Sequence, residues 1–206
     1  MINRHYATKK RTNILWYSFM LFLVFLFSMR AYSERDSHIQ LENPVSQPTW
    51  KLPIIANGTG KLSKDDFIGR VVYLDFWASW CGPCRLSLPA LNNIFHEFNR
   101  EHFSVIAVSV DYVEEDAIDF LSRYPVDYPV LLDKTGDSAR DFSVAGMPSG
   151  YLIDQNGMIR AVHVGFREGD EEILRSNITM LLETPKTKAA FSQSPNIKNG
   201  ALDDNG

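Results

Sequence analysis

The chain has 206 residues, of which 45% are hydrophobic and 22% are charged, a composition that excludes a disordered or collagen-like protein and fits one domain with flanking segments. Its net charge of −4 at pH 7 provides no general attraction to nucleic acid, so we predict no nucleic-acid partner. The two cysteines are too few for a disulfide-stabilised scaffold or a four-thiolate zinc site.

Residues 1–33 carry five basic and no acidic residues, which leaves a net charge of −9 for the rest of the chain. Of the 16 residues in Ile14–Met29, 14 are apolar, and they directly follow a basic cluster at 9–11. This order is typical of secretory signals and favours a cytoplasmic N-terminus. We therefore predict that residues 1–33 are an uncleaved signal-anchor helix in the membrane or a cleaved signal peptide. In both cases the rest of the chain lies on the extracytoplasmic side, in the periplasm.

Residues 34–49 are polar, contain Pro44 and Pro48 and lack periodicity, so they are predicted to be a linker. At the other end, residues 183–206 are rich in polar residues and contain one aromatic side chain, Phe191, which predicts a disordered tail. The folded domain is therefore predicted to span residues 50–182.

Strand and helix patterns alternate within this domain. The apolar run at 71–77 is too continuous for a strand buried on one face, so it predicts a central strand covered on both faces. Apolar residues at helical spacing predict a helix from Pro83 onward. Further strands are predicted at Phe103–Val110, Val130–Leu132, Tyr151–Ile153 and Ile159–Val164, and further helices at Glu114–Tyr124, Asp137–Phe142 and Glu171–Leu182. This alternation predicts an α/β domain with a mixed β-sheet.

The chemistry is concentrated in a Cys-x-x-Cys motif, Cys81 to Cys84, between the central strand and the helix that follows it. At a helix N-terminus, unpaired N–H groups and the helix dipole favour a thiolate, so Cys81 is predicted to be the nucleophile. Cys84 lies close enough to attack a mixed disulfide formed on Cys81 and is predicted to be the resolving residue. Pro83 suits the first helical turn, where its missing N–H has no consequence.

Two other interpretations of the motif remain open. The cysteines could form half of a zinc site, but the missing ligands would have to be histidines or carboxylates, and His163 is the one histidine in a predicted later strand. They could also form a structural disulfide, although closing so short a loop removes little chain entropy. We predict no bound metal.

The segment from Asp75 to Arg85, with Pro89 beyond it, resembles the active site of the thioredoxin superfamily. The wider arrangement is similar to the membrane-tethered TlpA-like thiol–disulfide reductases; its matching stretches are Gly69–Val72, Val144–Pro148 and Tyr151–Asp154. This resemblance implies a thioredoxin-like three-layer α/β fold, with a mixed sheet between helices and an inserted helix–strand unit around Glu114–Leu132. The chain departs from this branch at Ser87, where an acidic residue is frequent, and at Asp75, where a neutral residue is frequent.

The resemblance also implies roles for individual residues. Asp75, in an apolar strand, corresponds to the buried carboxylate that accepts the proton of the resolving thiol, through water, in thioredoxins. Pro148 corresponds to a cis-proline that faces the disulfide, and Met147 before it would present its backbone to an extended substrate chain. Trp77 is predicted to be a core residue, whereas Trp80 is predicted to line an apolar docking surface. The predicted catalytic residues are Cys81, Cys84, Asp75 and Pro148, and the predicted substrate-binding residues are Trp80, Gly82, Pro83 and Met147.

The sequence therefore predicts a thiol–disulfide oxidoreductase that reduces disulfides in exported proteins. Its redox group is the Cys81–Cys84 disulfide, with no added cofactor. The predicted partners are protein disulfide substrates and a thiol reductant delivered through the membrane, because an oxidising compartment tends to hold the pair oxidised. The alternatives are a peroxiredoxin-like enzyme, although the residues before Cys81 do not match that family, and a binding module for metal or haem assembly.

Overall fold

The structure is a computed structural model that describes residues 38–184 and three isolated helical positions, Trp16, Met20 and Phe22. Its strands are β1 (His38–Ser46), β2 (Lys51–Ala56), β3 (Lys61–Ser63), β4 (Val71–Trp77), β5 (Phe103–Ser109), β6 (Val130–Leu132), β7 (Ser149–Ile153) and β8 (Met158–Val164). Its α-helices are α1 (Cys84–Glu97), α2 (Glu114–Arg123), α3 (Asp137–Asp141) and α4 (Asp170–Glu183), and a 3-10 turn spans Lys64–Phe67.

The eight strands form one mixed sheet in the order β1-β8-β7-β4-β5-β6-β2-β3. Strand β4 pairs in parallel with β5 and antiparallel with β7, and β5 pairs in parallel with β6. Every residue of β4 and β5 is buried, as expected for strands covered on both faces. The predicted mixed sheet with a central strand at 71–77 is therefore confirmed.

The side chains of β4 alternate between two core layers on opposite faces of the sheet. Tyr73 and Trp77 belong to the α1-side core, which also contains buried side chains of α1, α2 and α4: Leu88, Leu91, Ala117, Phe120, Leu174 and Ile178. Leu74 and Phe76 belong to the opposite core, which contains Trp50, Phe67 and Phe142. The predicted three layers are present, but the second helical layer consists of the short α3 and the 3-10 turn. By the same alternation, Asp75 lies on the α1 side.

The prediction that residues 34–49 are a linker is wrong for 38–46, which form β1 at the edge of the sheet. This strand pairs antiparallel with β8, and its register shifts between Gln40 and Val45. An edge strand held by backbone hydrogen bonds to one neighbour does not need the apolar periodicity on which the linker prediction relied. Pro44 lies within the register shift, where a missing N–H is tolerated.

Strands β2 and β3 extend the opposite edge and were not predicted. Strand β2 pairs antiparallel with both β3 and β6, and Pro53 lies opposite Lys61. The apolar stretch of β2 is short, only partly buried and interrupted by Pro53, and a proline within a run argues against a central strand.

The predicted membrane segment at 14–29 lies outside the described residues except at the three isolated positions. Most of the predicted tail, residues 185–206, also lies outside them. Within the described part of the chain, no helix combines the length and apolarity needed to cross a membrane.

Candidate active site

Cys81 and Cys84 are joined by a disulfide at the junction of β4 and α1, with an S–S distance of 2.05 Å and a Cα–Cα distance of 5.4 Å. Cys84 is fully buried, whereas Cys81 keeps 4% of its surface exposed, so Cys81 is the outer sulfur. Helix α1 begins at Cys84, and the Cys84 N–H donates a hydrogen bond to Cys81 Sγ at 3.2 Å. A helix-start N–H directed at this sulfur is the arrangement that favours a thiolate once the disulfide is reduced.

A buried carboxylate holds the loop that carries Cys81. Asp111 lies just after β5 and accepts hydrogen bonds from the Ser79 N–H at 3.0 Å and the Ser79 hydroxyl at 2.8 Å. The Ser109 hydroxyl donates to the same carboxylate at 2.8 Å. Asp111 therefore fixes the backbone two residues before Cys81, a role that no local pattern in the sequence indicates.

Asp75 is buried in the middle of β4, with 1% of its surface exposed. Within the described residues its Oδ2 atom has no hydrogen-bond partner, and the same holds for the buried atoms Trp77 Nε1 and Ser87 Oγ. Burial raises the pKa of Asp75 well above its ordinary value, because desolvation penalises the charged carboxylate. Asp75 is on the same side of the sheet as Cys84, as the resemblance implied, and it is a carboxyl group with high proton affinity.

Three buried polar side chains form a hydrogen-bonded chain on this side of the sheet. The Tyr73 hydroxyl lies 3.2 Å from His163 Nδ1, and His163 Nε2 lies 3.0 Å from an Asp170 carboxylate oxygen. Tyr73 is 2% exposed, His163 3% and Asp170 7%. Burial raises the pKa of Tyr73 well above its ordinary value, and the charges of Asp75 and Asp170 add to that effect. The sequence suggested His163 only as a metal ligand, and no local pattern indicated Tyr73 or Asp170.

Gly150 makes room for the Tyr73 hydroxyl. A Cβ atom at position 150 would lie 1.9 Å from the hydroxyl oxygen and 2.2 Å from the ring carbon that carries it. Gly150 is paired with Asp75 on one side and with His163 on the other. The phenol of Tyr73 thus fills the space between Asp75 and His163 that a side chain at 150 would otherwise occupy.

The Met147–Pro148 peptide bond is cis, as the resemblance implied. Phe76 pairs with Ser149, which places Pro148 at the end of β4 from which the Cys81 loop departs. The Pro148 carbonyl accepts a hydrogen bond from the Gly165 N–H at 2.8 Å. The predicted catalytic residues Cys81, Cys84, Asp75 and Pro148 are therefore at the same end or on the same side of the sheet.

The surface around the disulfide offers apolar and basic groups. Trp80 is 70% exposed, and Gly82 and Pro83 are also exposed, whereas Trp77 is fully buried, as predicted. Beside the cis-proline loop lies a groove of about 620 Å³ whose lining includes Val110, Val144, Met147, Lys134 and Arg140. Met147 thus connects the disulfide region to this groove.

Comparison with known proteins agrees with this geometry. Residues 46–162 match the AhpC/TSA family. The chain is 33% identical over 139 residues to the thioredoxin-like protein YneN of Bacillus subtilis, a match that covers 66% of this chain and 78% of YneN. It is 30% identical over 99 residues to the thiol-disulfide oxidoreductase ResA of Bacillus thuringiensis, covering 48% of this chain and 57% of ResA.

A solved structure is also similar. The crystal structure of a Chlorobium tepidum protein, described as a thiol:disulfide interchange protein DsbE, superposes with a TM-score of 0.65 at 42% identity. The match covers 69% of this chain and 99% of that protein.

Proposed function

The chain belongs to the AhpC/TSA family, and on that premise we propose that it reduces disulfides in exported proteins by exchange at Cys81 and Cys84. The thioredoxin-like fold and the thiol–disulfide oxidoreductase class predicted from the sequence are confirmed by the relatives with those names. The observation that carries the proposal is the Cys81–Cys84 disulfide, whose outer sulfur accepts the first N–H of α1.

The reaction starts from the reduced pair. The Cys81 thiolate attacks one sulfur of the substrate disulfide, the substrate S–S bond breaks, and the displaced substrate thiolate takes a proton from water. The Cys84 thiol then gives its proton to ionised Asp75 and attacks Cys81 Sγ. The mixed disulfide breaks, the second substrate thiolate leaves, and the Cys81–Cys84 disulfide forms. The substrate is reduced by two electrons and the cysteine pair is oxidised by two.

The high proton affinity of Asp75 suits both directions of proton transfer. After exchange Asp75 carries the Cys84 proton, and the neutral carboxylic acid is the form that burial favours. When a dithiol reduces the pair again, the same acid returns its proton to the departing Cys84 thiolate.

Substrate binding is proposed at the surface formed by Trp80, Gly82, Pro83 and Met147. An exposed tryptophan beside a nucleophile provides apolar contact area for a polypeptide. The groove beside Met147 is proposed to receive a substrate side chain, since its lining combines apolar residues with Lys134 and Arg140.

The compartment and the reductant are part of the proposal. The basic cluster and apolar run at 9–29 support export or membrane anchoring with the domain in the periplasm. An oxidising compartment tends to keep the Cys81–Cys84 pair as a disulfide. Reduction of substrates there therefore requires a thiol reductant supplied through the membrane.

A trapping experiment tests the proposal. The Cys84→Ser variant lacks the resolving thiol, so we expect it to accumulate mixed disulfides with exported proteins that mass spectrometry identifies at Cys81. The matched Cys81→Ser variant keeps one thiol but lacks the outer nucleophile, and it should trap none. Equal trapping by both variants, or trapping by neither, would overturn the proposal. Consumption of hydrogen peroxide by the wild type, or stoichiometric metal binding by the reduced protein, would favour the alternatives.

A further inference from the structure

We propose that the groove beside the cis-proline is a subsite for an acidic side chain of the substrate, and that Lys134 is the residue that selects it. The inference rests on the proposed function and deepens it, because it names a class of substrate: exported polypeptides with a glutamate or aspartate near the cysteine that is attacked. It depends on the place of the groove beside the disulfide, the charges that line it, and the lack, within the described residues, of a carboxylate partner for Lys134.

The groove adjoins the disulfide through two of its lining residues. Met147 lines the groove and packs against the core cluster that contains Cys81 and Cys84. Val110 also lines the groove, and its N–H donates to the Trp77 carbonyl at 3.0 Å, at the end of β4 from which the Cys81 loop departs. A polypeptide whose disulfide lies at Cys81 can therefore extend over Met147 into the groove.

The groove is lined by positive charge. Among the described residues that line it, Lys134 and Arg140 are cationic and none is acidic, and Ser143 adds an exposed hydroxyl group. An acidic side chain therefore meets opposite charge and hydrogen-bond donors there. This attraction is local, because the chain beyond residue 33 has a net charge of −9, which repels an acidic substrate at long range.

Of the two cations, Lys134 is the one without a carboxylate partner in the described part of the chain. Arg140 forms an ion pair with Asp137 within α3. Asp133, the residue before Lys134, is buried and accepts a hydrogen bond from the Ala139 N–H at 2.9 Å. No carboxylate oxygen of the described residues lies within ion-pair distance of Lys134. A substrate carboxylate that contacts Lys134 therefore displaces no internal partner.

An exposed tyrosine positions the Lys134 ammonium. Lys134 Nζ lies 5.1 Å from the centre of the Tyr112 ring, a cation–π contact. Tyr112 is 76% exposed and follows Asp111, whose carboxylate accepts the Ser79 N–H two residues before Cys81. The ammonium is thus connected to the Cys81 loop by a short series of contacts. Above a ring face it can still donate hydrogen bonds to an incoming carboxylate.

The test combines a change in the protein with a change in the substrate. The substrate is a short peptide with a single cysteine, joined to an identical copy by a disulfide. One residue of the peptide is glutamate or glutamine, two positions before the cysteine in one set and two positions after it in the other, because alternate side chains of an extended chain share a face. The measurement is the rate constant at which the reduced full-length protein, in a neutral detergent, releases peptide thiol, followed by acid quenching and chromatography.

The decisive quantity is the rate constant for the glutamate peptide divided by that for the glutamine peptide. We expect Lys134→Gln to lower this ratio about twofold to fivefold at low salt, the scale of an ion pair between exposed groups. Lys134→Arg keeps the charge and should keep the ratio. Because salt screens such pairs, the difference between the wild type and Lys134→Gln should shrink as the salt concentration rises from about 20 mM to about 0.5 M.

Arg100→Gln is the matched control. Arg100 is an exposed cation that also lies over an aromatic ring, with its guanidinium carbon 4.7 Å from the centre of the Phe95 ring. It follows α1 at the end away from the disulfide, about 20 Å from Cys84 by the length of the helix. This variant loses the same charge and the same kind of contact as Lys134→Gln, but it should keep the wild-type ratio.

The results separate the inference from the proposed function. A ratio that falls in Lys134→Gln but is kept in Lys134→Arg and in Arg100→Gln, in either peptide set, supports the inference. An unchanged ratio in both sets shows that the acidic side chain does not meet Lys134, and an equal fall in Arg100→Gln shows an effect of net charge alone; each overturns the inference. If the reduced wild type releases no thiol from any of the peptides, the proposed function itself fails, and the inference fails with it.

Discussion

At Asp75 the burial of the side chain bears directly on its proposed role as the proton acceptor for Cys84. Its carboxyl has a raised pKa because it is desolvated, and it lies on the same side of the sheet as Cys84, the proposed resolving residue. We expect Asp75→Asn to slow release of the mixed disulfide about tenfold to a thousandfold, since an amide cannot accept the Cys84 proton. The attack by Cys81 should keep its rate. Stopped-flow reaction of the reduced protein with Ellman's reagent resolves the two steps.

The control for this experiment is Asp154→Asn. Asp154 is also a buried carboxylate, but it accepts hydrogen bonds from the Asn156 and Met158 backbone in the β7–β8 turn. Its substitution removes a charge without touching the site. An unchanged second step in Asp75→Asn would return Asp75 to a structural role.

The same raised pKa has a consequence for stability. Below about pH 3.9, Asp75 is protonated in both the folded and unfolded states, so it makes no pH-dependent contribution. Above that pH the unfolded chain loses a proton that the folded protein retains, and the wild type loses about 1.4 kcal/mol of stability per pH unit until the folded pKa is reached. We therefore compare the free energy of unfolding of oxidised Asp75→Asn with that of the oxidised wild type and take their difference near pH 3 as the reference. As the pH rises above about 3.9, this difference should grow in favour of the variant, and above the folded pKa of Asp75 it should stay constant. Urea unfolding across this range measures it, and parallel pH profiles would contradict the expectation.

At the scale of elements, we expect the start of α1 to activate the Cys81 sulfur. The Cys84 N–H already points at Cys81 Sγ, and the helix dipole adds to it. In the reduced Cys84→Ser variant, alkylation of Cys81 by iodoacetamide should therefore have a midpoint below the value of about 8.5 for an ordinary thiol. The same variant unfolded in urea provides the reference, because the helix is then absent. Identical midpoints in the two states would show that α1 does not activate the sulfur.

Some secondary-structure elements could be predicted from the sequence and others could not. Strand β4 and the Cys-x-x-Cys motif could be predicted because a doubly covered strand needs a continuous apolar run and the motif is local. Strand β1 could not, because an edge strand is stabilised by backbone pairing with β8 that its own side chains do not specify. The contact of Tyr73 with His163 joins β4 to β8, so no local pattern contains it.

At the scale of the whole molecule, the predicted signal-anchor adds a test that is independent of the chemistry. The apolar run at 14–29 follows a basic cluster, so we expect the intact chain to fractionate with membranes and to resist an alkaline wash. A variant that starts at Glu34, before β1, serves as the soluble control. If expression of the whole gene instead yields a soluble protein that starts near Glu34, the segment is a cleaved signal peptide, and the prediction of export still holds.

The close approach of Tyr73 to Gly150 restricts the order in which these two positions can change. Alanine at 150 cannot be accommodated while the phenol and the backbone keep their positions, because its methyl group would overlap the hydroxyl and the adjoining ring carbon. After Tyr73→Val the same alanine has space. In a double-mutant cycle, Gly150→Ala should therefore cost less unfolding free energy in the Tyr73→Val background than in the wild type, with a coupling of about 1 to 3 kcal/mol. If the losses of unfolding free energy in the two single variants simply add up in the double variant, the backbone moves to make room for the alanine. A route of single substitutions that keeps the domain folded must therefore shrink position 73 before position 150 acquires a side chain.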